Sequence, residues 1–402
     1  MKRVLLPALA ALMLSGTAAA QSEEMSFDAW RDGFRTELLE SGARPETVAA
    51  MLDGLSADPR VIDRDGNQPE FVRPIWSYLG IAASDLRIEN GRSAYAEYGE
   101  TINAVAERFG VRAEILVAIW GLESSFGAIT GNFDTVRSLA TLAWDGRRRS
   151  WAEAQLIAIA EMIDEGYATR EQLTGSWAGA MGQMQFIPTT YLERAHDWDG
   201  DGTRNIWTDI GDAVASAANL LVEEGWQAGA PTVVEVTLSD AFDLADWNPL
   251  TNRLVSQWAV MGVTPAVGEW HADDLMRSAR LELPAGRNGP GFLTFPNFRV
   301  IKRYNNSTAY ALGVAHLADR IAGGAAFVGD WPEGDVPLTR SQTREVQAAL
   351  NAAGHNAGTP DGIAGPNTRR ALRAFQRANG MAPDGYLGSA MYEAVTGRSL
   401  GD

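Results

Sequence analysis

The chain has 402 residues, 46% of them hydrophobic and 21% charged, enough for several domains with sizeable cores. Its formal charge is −17 at pH 7, which repels phosphate backbones and makes nucleic acid a poor partner. There is no cysteine, and none of the four histidines (His196, His271, His316, His355) falls in an HExxH spacing. A thiol nucleophile, disulfides and thiolate metal sites are excluded, and a zinc hydrolase is disfavoured.

Residues 1–20 have the three parts of an export leader. Lys2 and Arg3 make a positive start, residues 4–14 are apolar, and Ala18, Ala19 and Ala20 are small enough for cleavage, so the mature chain is expected to begin at Gln21. The apolar stretch is too short for an anchor, and no later stretch is long enough to span a bilayer. Without cysteine no lipid can be attached after cleavage. The expectation is an exported, soluble, periplasmic protein with no membrane span or lipid anchor.

From residue 27 to 110 apolar residues recur at three and four, the period of a helix. Phe27, Trp30, Phe34, Leu38 and Leu39 make one face, and Val48, Met51, Leu52 and Leu55 another. A third helix is predicted over 90–109, with Tyr95, Tyr98, Ile102, Val105 and Phe109 on one side and Gly110 as its stop. A buried helix over 113–123 and an amphipathic one over 151–163 follow. Between 231 and 303 the character changes. VVEVTL (233–238) and FRVIKRY (298–304) alternate or are β-branched, and Gly and Pro are frequent, which predicts a small β-rich insertion. A helix is expected over 310–321. The Gly-, Pro- and acid-rich residues 323–337 read as a linker. Beyond it, DGIAGPNTRRAL from Asp361 and DGYLGSAMYEAV from Asp384 repeat one turn-helix unit at a spacing of 23 residues. Neither copy can bury its apolar face alone, so they should pack together with a helix over 346–350.

The stretch ILVAIWGLESSFG (115–127) carries the chemistry. Glu123 shares its helix face with Ile119 and Trp120, and more loosely with Ile115 and Leu116. A carboxyl on an apolar face is desolvated, which raises its pKa toward that of a general acid at neutral pH. Ser124, Ser125, Phe126 and Gly127 then end the helix and open a loop, so the group can face a cleft. The residues alone leave a second reading open, a Glu that snorkels to solvent at a small cost from the helix dipole.

The stretch AIWGLESSFG resembles the glutamate-serine motif of lytic murein transglycosylases and goose-type lysozymes. GSWAGAMGQMQFIPTTY (175–191), HDWDGDGTRNIWTDIGDAVASAANLL (196–221) and FPNFRVIKRYNNSTAYALGV (295–314) resemble, in the same order, blocks of the transglycosylase B family. The resemblance implies a mainly α (α+β) catalytic region over 21–322, with a lysozyme-like core, an added helical domain and the β-rich insertion. It implies peptidoglycan as partner and non-hydrolytic cleavage between N-acetylmuramic acid and N-acetylglucosamine, giving 1,6-anhydro ends. One carboxyl group, Glu123 by motif match, would serve as acid and then base, and the chemistry would require no cofactor. Ser176, Gln185, Tyr304, Asn305 and Tyr310 match cleft positions of that family. A hydrolytic muramidase and a non-catalytic wall-binding protein are the rival readings.

DWDGDGTRNIWT (197–208) looks like an EF-hand loop. Asp197, Asp199 and Asp201 occupy positions 1, 3 and 5, Gly202 gives the sharp turn, and the Thr203 carbonyl would be the ligand at position 7. Position 12 is Thr208 in place of the usual Glu, so Asp209 or Asp212 would have to close the site around a structural calcium or sodium ion. The tail, residues 338–402, resembles the three-helix peptidoglycan-binding domain of wall enzymes, on the turn chemistry of its repeat. The resemblance implies a tether that raises the local concentration of the catalytic region on an insoluble polymer.

Overall fold

The structure is a computed structural model describing residues 25–66 and 73–400; the expected leader, including Lys2, Arg3 and Ala20, lies outside the described residues. Four short helices open the chain: α1 (Phe27–Glu40), α2 (Pro45–Leu52), α3 (Pro59–Gly66) and α4 (Ile75–Ala82). Helix α1 starts where the Ser26 hydroxyl accepts from the Ala29 N–H, an N-cap, and it buries Trp30, Phe34 and Leu38. These are the predicted face, except that Leu39 stays 44% exposed. Helix α5 (Asp85–Phe109) begins five residues before the predicted position 90, because Ser84 caps it by accepting from the Arg87 N–H. It stops as predicted at Gly110, whose φ of 66° suits glycine.

The helical core then adds α6 (Ala113–Ser124), strand β1 (Phe133–Asp134), α7 (Thr135–Asp145), α8 (Arg149–Asp164), strand β2 (Thr174–Gly175), α9 (Pro188–Arg194) and α10 (Ile210–Glu223). Helix α6 is apolar on all sides and is enclosed on all sides, with Ile115, Leu116, Val117, Ala118 and Ile119 fully buried. It packs against α5, α10 and the later helix α13 (Thr308–Ile321).

The β-rich insertion comprises β3 (Val233–Leu238), β4 (Arg253–Leu254), α11 (Val255–Val260), β5 (Val263–Pro265), β6 (Ser278–Glu282) and β7 (Gly291–Thr294). Its strands lie in the order β4-β6-β7-β3-β5, antiparallel throughout, with Val233 opposite Thr294 and Glu282 opposite Phe292. Its own core contains Trp247, Trp258, Leu281, Leu293 and Phe295.

One predicted strand is corrected. Residues 298–304 belong to a helix, α12 (Pro296–Tyr304). Pro296 sits in its first turn, where the missing N–H costs nothing. Phe298 and Ile301, three apart, are buried on one side, while Arg299, Lys302 and Arg303 are more exposed. The apparent alternation of Phe298 and Val300 came from a helix with a wide apolar stripe.

The C-terminal helices are α14 (Arg340–Ala352), α15 (Pro366–Ala378) and α16 (Ser389–Thr396). The sequence repeat has a structural counterpart. Gln347 accepts from the Gly362 N–H at 2.9 Å and donates to Asp361 at 2.9 Å. Gln376 does the same with Gly385 (2.8 Å) and Asp384 (2.7 Å). In both copies a buried glutamine of one helix holds the Asp-Gly turn that starts the next, and both glycines have positive φ.

Residues 323–337, largely exposed, are pinned to the folded units at a few points. The Phe327 ring stacks on His316 at 4.1 Å and meets Phe292 edge-on at 4.9 Å. Trp331 stacks on Phe292 at 6.1 Å. Glu235 of β3 accepts from the Val328 and Gly329 N–H groups at 2.8 and 2.7 Å. The C-terminal unit in turn touches the β-rich one. The Arg287 N–H donates to Asp384 (3.0 Å), Arg377 donates to the Ala245 carbonyl (3.0 Å), and the Arg373 guanidinium lies over the Trp247 ring at 5.3 Å.

Candidate active site

Glu123 sits in the last turn of α6, and the way that helix ends explains the GLESSFG sequence. Ser125, Phe126 and Gly127 have φ of 51°, 60° and 81°, three successive residues in the left-handed region. That turn folds the Phe126 ring back onto the helix, edge-on to Trp120 at 5.7 Å. A Cβ on Gly121 would meet the same ring at 2.5 Å, so only glycine fits there. The Ser124 hydroxyl accepts from the Gly127 N–H at 2.9 Å and its carbonyl from the Ile129 N–H at 2.8 Å. Gln183 braces the far side by accepting from the Trp120 indole at 3.0 Å. The strained turn is thus held from several directions.

The Glu123 carboxyl accepts from the Tyr310 hydroxyl at 2.5 Å. Burial pushes its pKa from 4.5 up to about 7, against the Tyr310 hydrogen bond, which lowers it. Two further phenols feel its charge: Tyr304, whose hydroxyl donates to the Met184 carbonyl at 2.6 Å, and Tyr78 of α4. Burial, then the Glu123 charge, raises the pKa of Tyr304 and of Tyr310 well above 10, so both are neutral donors. Among the described residues no second carboxylate perturbs Glu123.

Residues distant in sequence are thereby joined, Glu123 from α6, Tyr310 from α13 and Tyr304 from the end of α12. Ser176 and Gln185 stand on the segment after β2. The Ser176 hydroxyl oxygen accepts from the Ala178 and Ala180 N–H groups (3.3 and 3.0 Å). Gln185, at φ 51°, donates its amide to the Thr130 and Gly182 carbonyls (3.0 and 2.9 Å), tying this segment to the loop that follows Glu123. Asn305 is the exposed C-cap of α12. Among the described residues none of these three bonds directly to the Glu123 carboxyl. Tyr78 and Gln183 were not singled out from the sequence. Neither has a local signal there, because each acquires its place from tertiary packing. A recess of about 610 Å³ opens behind the 125–127 loop, lined among others by Tyr98, Trp120, Phe126, Gln183, Trp207 and Asp209. Glu123 does not line it, and the candidate site is assigned from the hydrogen bonding of its carboxyl.

The acidic loop leads into α10. Asp197, Asp199 and Asp212 bring carboxylate oxygens within 4.8 Å of one another. Asp212 is 2% exposed and accepts from the Trp198 and Asn205 N–H groups at 2.7 and 2.6 Å. Burial raises its pKa, those two donors lower it, and the charges of Asp209 and Asp197 raise it further. Asp201 is turned to the Thr203 N–H and hydroxyl, both at 2.7 Å, and is not one of the converging three. Asp209 caps α10 by accepting from the Asp212 N–H at 3.0 Å. The donor set is all oxygen, which fits a hard cation such as calcium.

A desolvated carboxyl beside neutral phenols, at the end of a buried helix, can give and take a proton near neutral pH. The transglycosylase SLT domain family matches residues 26–319, and a peptidoglycan binding domain matches residues 339–395. The chain belongs to the transglycosylase SLT domain family. Its structure is similar to that of SltB3 from Pseudomonas aeruginosa in complex with NAG-anhNAM-pentapeptide, at 45% identity and a TM-score of 0.89, covering 92% of this chain and 99% of that one. Slt35, the lytic transglycosylase of Escherichia coli, in complex with calcium, is 28% identical with a TM-score of 0.63, covering 75% of this chain and 97% of that one. Membrane-bound lytic murein transglycosylase B of Escherichia coli K12 is 29% identical over 292 residues, 71% of this chain and 77% of the relative. Among the described residues no helix is long and apolar enough to cross a membrane.

Proposed function

We propose that this chain is a lytic transglycosylase of peptidoglycan with Glu123 as its sole acid and base. The observation that carries the reading is the environment of that carboxyl: a pKa near 7, one phenolic donor at 2.5 Å and, among the described residues, no carboxylate partner. A group that titrates near neutral pH can both give and take a proton. Glu123, protonated on arrival of the glycan, gives its proton to the oxygen between N-acetylmuramic acid and N-acetylglucosamine, and that bond breaks. The muramyl 6-hydroxyl attacks its own anomeric carbon, and the Glu123 carboxylate takes the hydroxyl proton. A 1,6-anhydro ring forms, no water is consumed and the acid is regenerated. Intramolecular attack replaces the second carboxylate that hydrolysis uses to aim a water.

Tyr310 keeps the carboxyl in place and stabilises its ionised form between the two transfers. Tyr304 and Asn305 at the end of α12, with Ser176 and Gln185 on the segment after β2, supply the polar groups that hold the sugars. Asp197, Asp199 and Asp212 would hold a structural calcium ion that ties the loop to α10, with Asp201 and Thr203 joining once a cation draws them in. The calcium complex of Slt35 supports this reading. On this reading residues 1–20 are an export leader, residues 21–322 the catalytic region and residues 338–402 a wall-binding unit, and the enzyme works in the periplasm.

Mass spectrometry of murein digested by the purified protein tests the reaction. Anhydromuramyl ends, lighter by one water than reducing ends, are the expected product. Reducing ends would mean a muramidase, and intact murein a non-catalytic binder.

A further inference from the structure

We propose that the recess behind the 125–127 loop is a second saccharide site, which takes an N-acetylglucosamine unit of the glycan. This rests on the reading of the chain as a peptidoglycan transglycosylase and adds to it a point, separate from the Glu123 carboxyl, where a strand is held.

The recess of about 610 Å³ falls within the roughly 300–1,000 Å³ of small-molecule sites. Helix α5 supplies one wall: Asn90, Ser93, Ala94, Glu97 and Tyr98 are three and four apart and share a face. The turn after Glu123, with Gln183 and residues 207–210, supplies the rest.

Gln183 is the group that needs a ligand. It is only 9% exposed. Its backbone N–H donates to the Ile206 carbonyl at 2.9 Å, and its side-chain oxygen accepts from the Trp120 indole at 3.0 Å. An indole N–H is a donor only, so that contact fixes which end of the amide is oxygen. The other end, Nε2, has no hydrogen-bond partner among the described residues, and Gln183 lines the recess. A donor held largely out of water is costly until an acceptor reaches it. Across the recess the exposed side chains of Asn90 and Ser93 are also free of hydrogen bonds among the described residues.

The lining selects the ligand. Among the described residues no lysine, arginine or histidine lines the recess, whereas Glu97 and Asp209 do. Phosphates and free carboxylates are repelled there. A muramyl unit with its acidic peptide is therefore disfavoured, and the neutral N-acetylglucosamine fits. Its acetamido carbonyl is the acceptor that Gln183 lacks. Its hydroxyls donate to Glu97 and Asp209, which only accept when ionised. Its apolar face can lie on the exposed Tyr98 ring or the half-buried Trp207 ring. A Cβ on Gly127 would meet the Gln183 side-chain oxygen at 2.6 Å, so a sugar bonded to Gln183 also bears on the turn that follows Glu123.

The test uses the full-length protein and the β-1,4-linked trimer of N-acetylglucosamine, which has no muramyl unit to cleave. Nitrogen-15 NMR follows the indole signals of Trp120 and Trp207, each assigned through its Trp→Phe variant, and both should shift as the trimer is added. Gln183→Glu keeps the oxygen that faces Trp120 and replaces the free donor with an acceptor, so it should raise the Kd read from these shifts about tenfold. Ser93→Trp fills the recess from an exposed helical position and should abolish them. Indole signals of the wild type that stay in place overturn the proposal, as do shifts that persist at the wild-type Kd in either folded variant. The trimer of unacetylated glucosamine, which is cationic, should bind at least about tenfold more weakly. Equal or tighter binding of that trimer to the wild type overturns the proposal without recourse to any variant. None of these measurements needs turnover, so their failure leaves the transglycosylase reading standing, whereas murein left intact by the wild type defeats that reading.

Discussion

Replacing Glu123 with glutamine should make the folded protein more stable, and increasingly so as pH rises. The folded state holds this carboxyl at about 7 against 4.5 for the free group, chiefly through burial. Between those values the native chain binds more protons than the unfolded one, so stability is full below pH 4.5 and declines as pH rises through 7. The whole difference amounts to about 3 kcal/mol, and water reaching this half-buried side chain trims it to about 2 kcal/mol. Glutamine has the shape of the protonated acid and cannot ionise, and its carbonyl still accepts from Tyr310. The stability difference between variant and wild type should therefore be near zero at pH 4.5 and about 2 kcal/mol in favour of the variant at pH 8. Urea denaturation of both proteins at four or five pH values measures it, and taking the difference cancels the other titrating groups. Murein solubilisation by the same variant should fall at least about a hundredfold, as loss of a general acid does. Stability curves that stay parallel from pH 4.5 to 8 would mean the carboxyl is hydrated like a free one, and the acid-base assignment would fall with that.

Tyr310→Phe removes the one donor that lowers the Glu123 pKa, so the alkaline limb of the pH-rate profile should move to higher pH while kcat drops about tenfold or more; an unmoved limb would mean that the bond does not act on the reacting group. Gly121→Ala would bring a methyl within 2.5 Å of the Phe126 ring, and should cost about 1–3 kcal/mol in thermal unfolding and depress activity by displacing the turn after Glu123. Calcium at a hundred times its dissociation constant should stabilise the protein by about 2.7 kcal/mol. Asp199→Asn or Asp212→Asn should abolish that gain, and identical melting with calcium and with chelator would argue against the cation site.

The helices around the site were legible because each carries a full amphipathic period and a stop, as Gly110 shows for α5. The position of Glu123 at the end of a buried helix was legible for the same reason. The strained turn after it was not, since the positive φ of Ser125 and Phe126 follows from the packing of the Phe126 ring into the gap at Gly121. That gap has no meaning until the ring is folded back. Helix α12 was misread because nine residues of mixed apolar and basic character fit two periods equally well, and Pro296 was the only local arbiter. Tyr304 and Tyr310 are legible only through the family resemblance. Nothing in the spacing of a lone tyrosine says that its hydroxyl will meet a carboxyl 187 positions away.

The C-terminal unit changes what residues 323–337 mean. A free tether of that length would raise the effective concentration of the catalytic region near the wall and would leave its orientation open. Here Phe327 and Trp331 are seated on Phe292, Glu235 holds two successive backbone N–H groups, and Asp335 accepts from the Tyr386 hydroxyl at 2.7 Å. Gly286 presses so closely on the C-terminal unit that a Cβ there would meet Asp384 at 2.6 Å. Contacts this specific fix direction as well as distance. The C-terminal unit therefore stands in a set orientation to the β-rich unit that it touches through Arg287, Arg377 and Arg373.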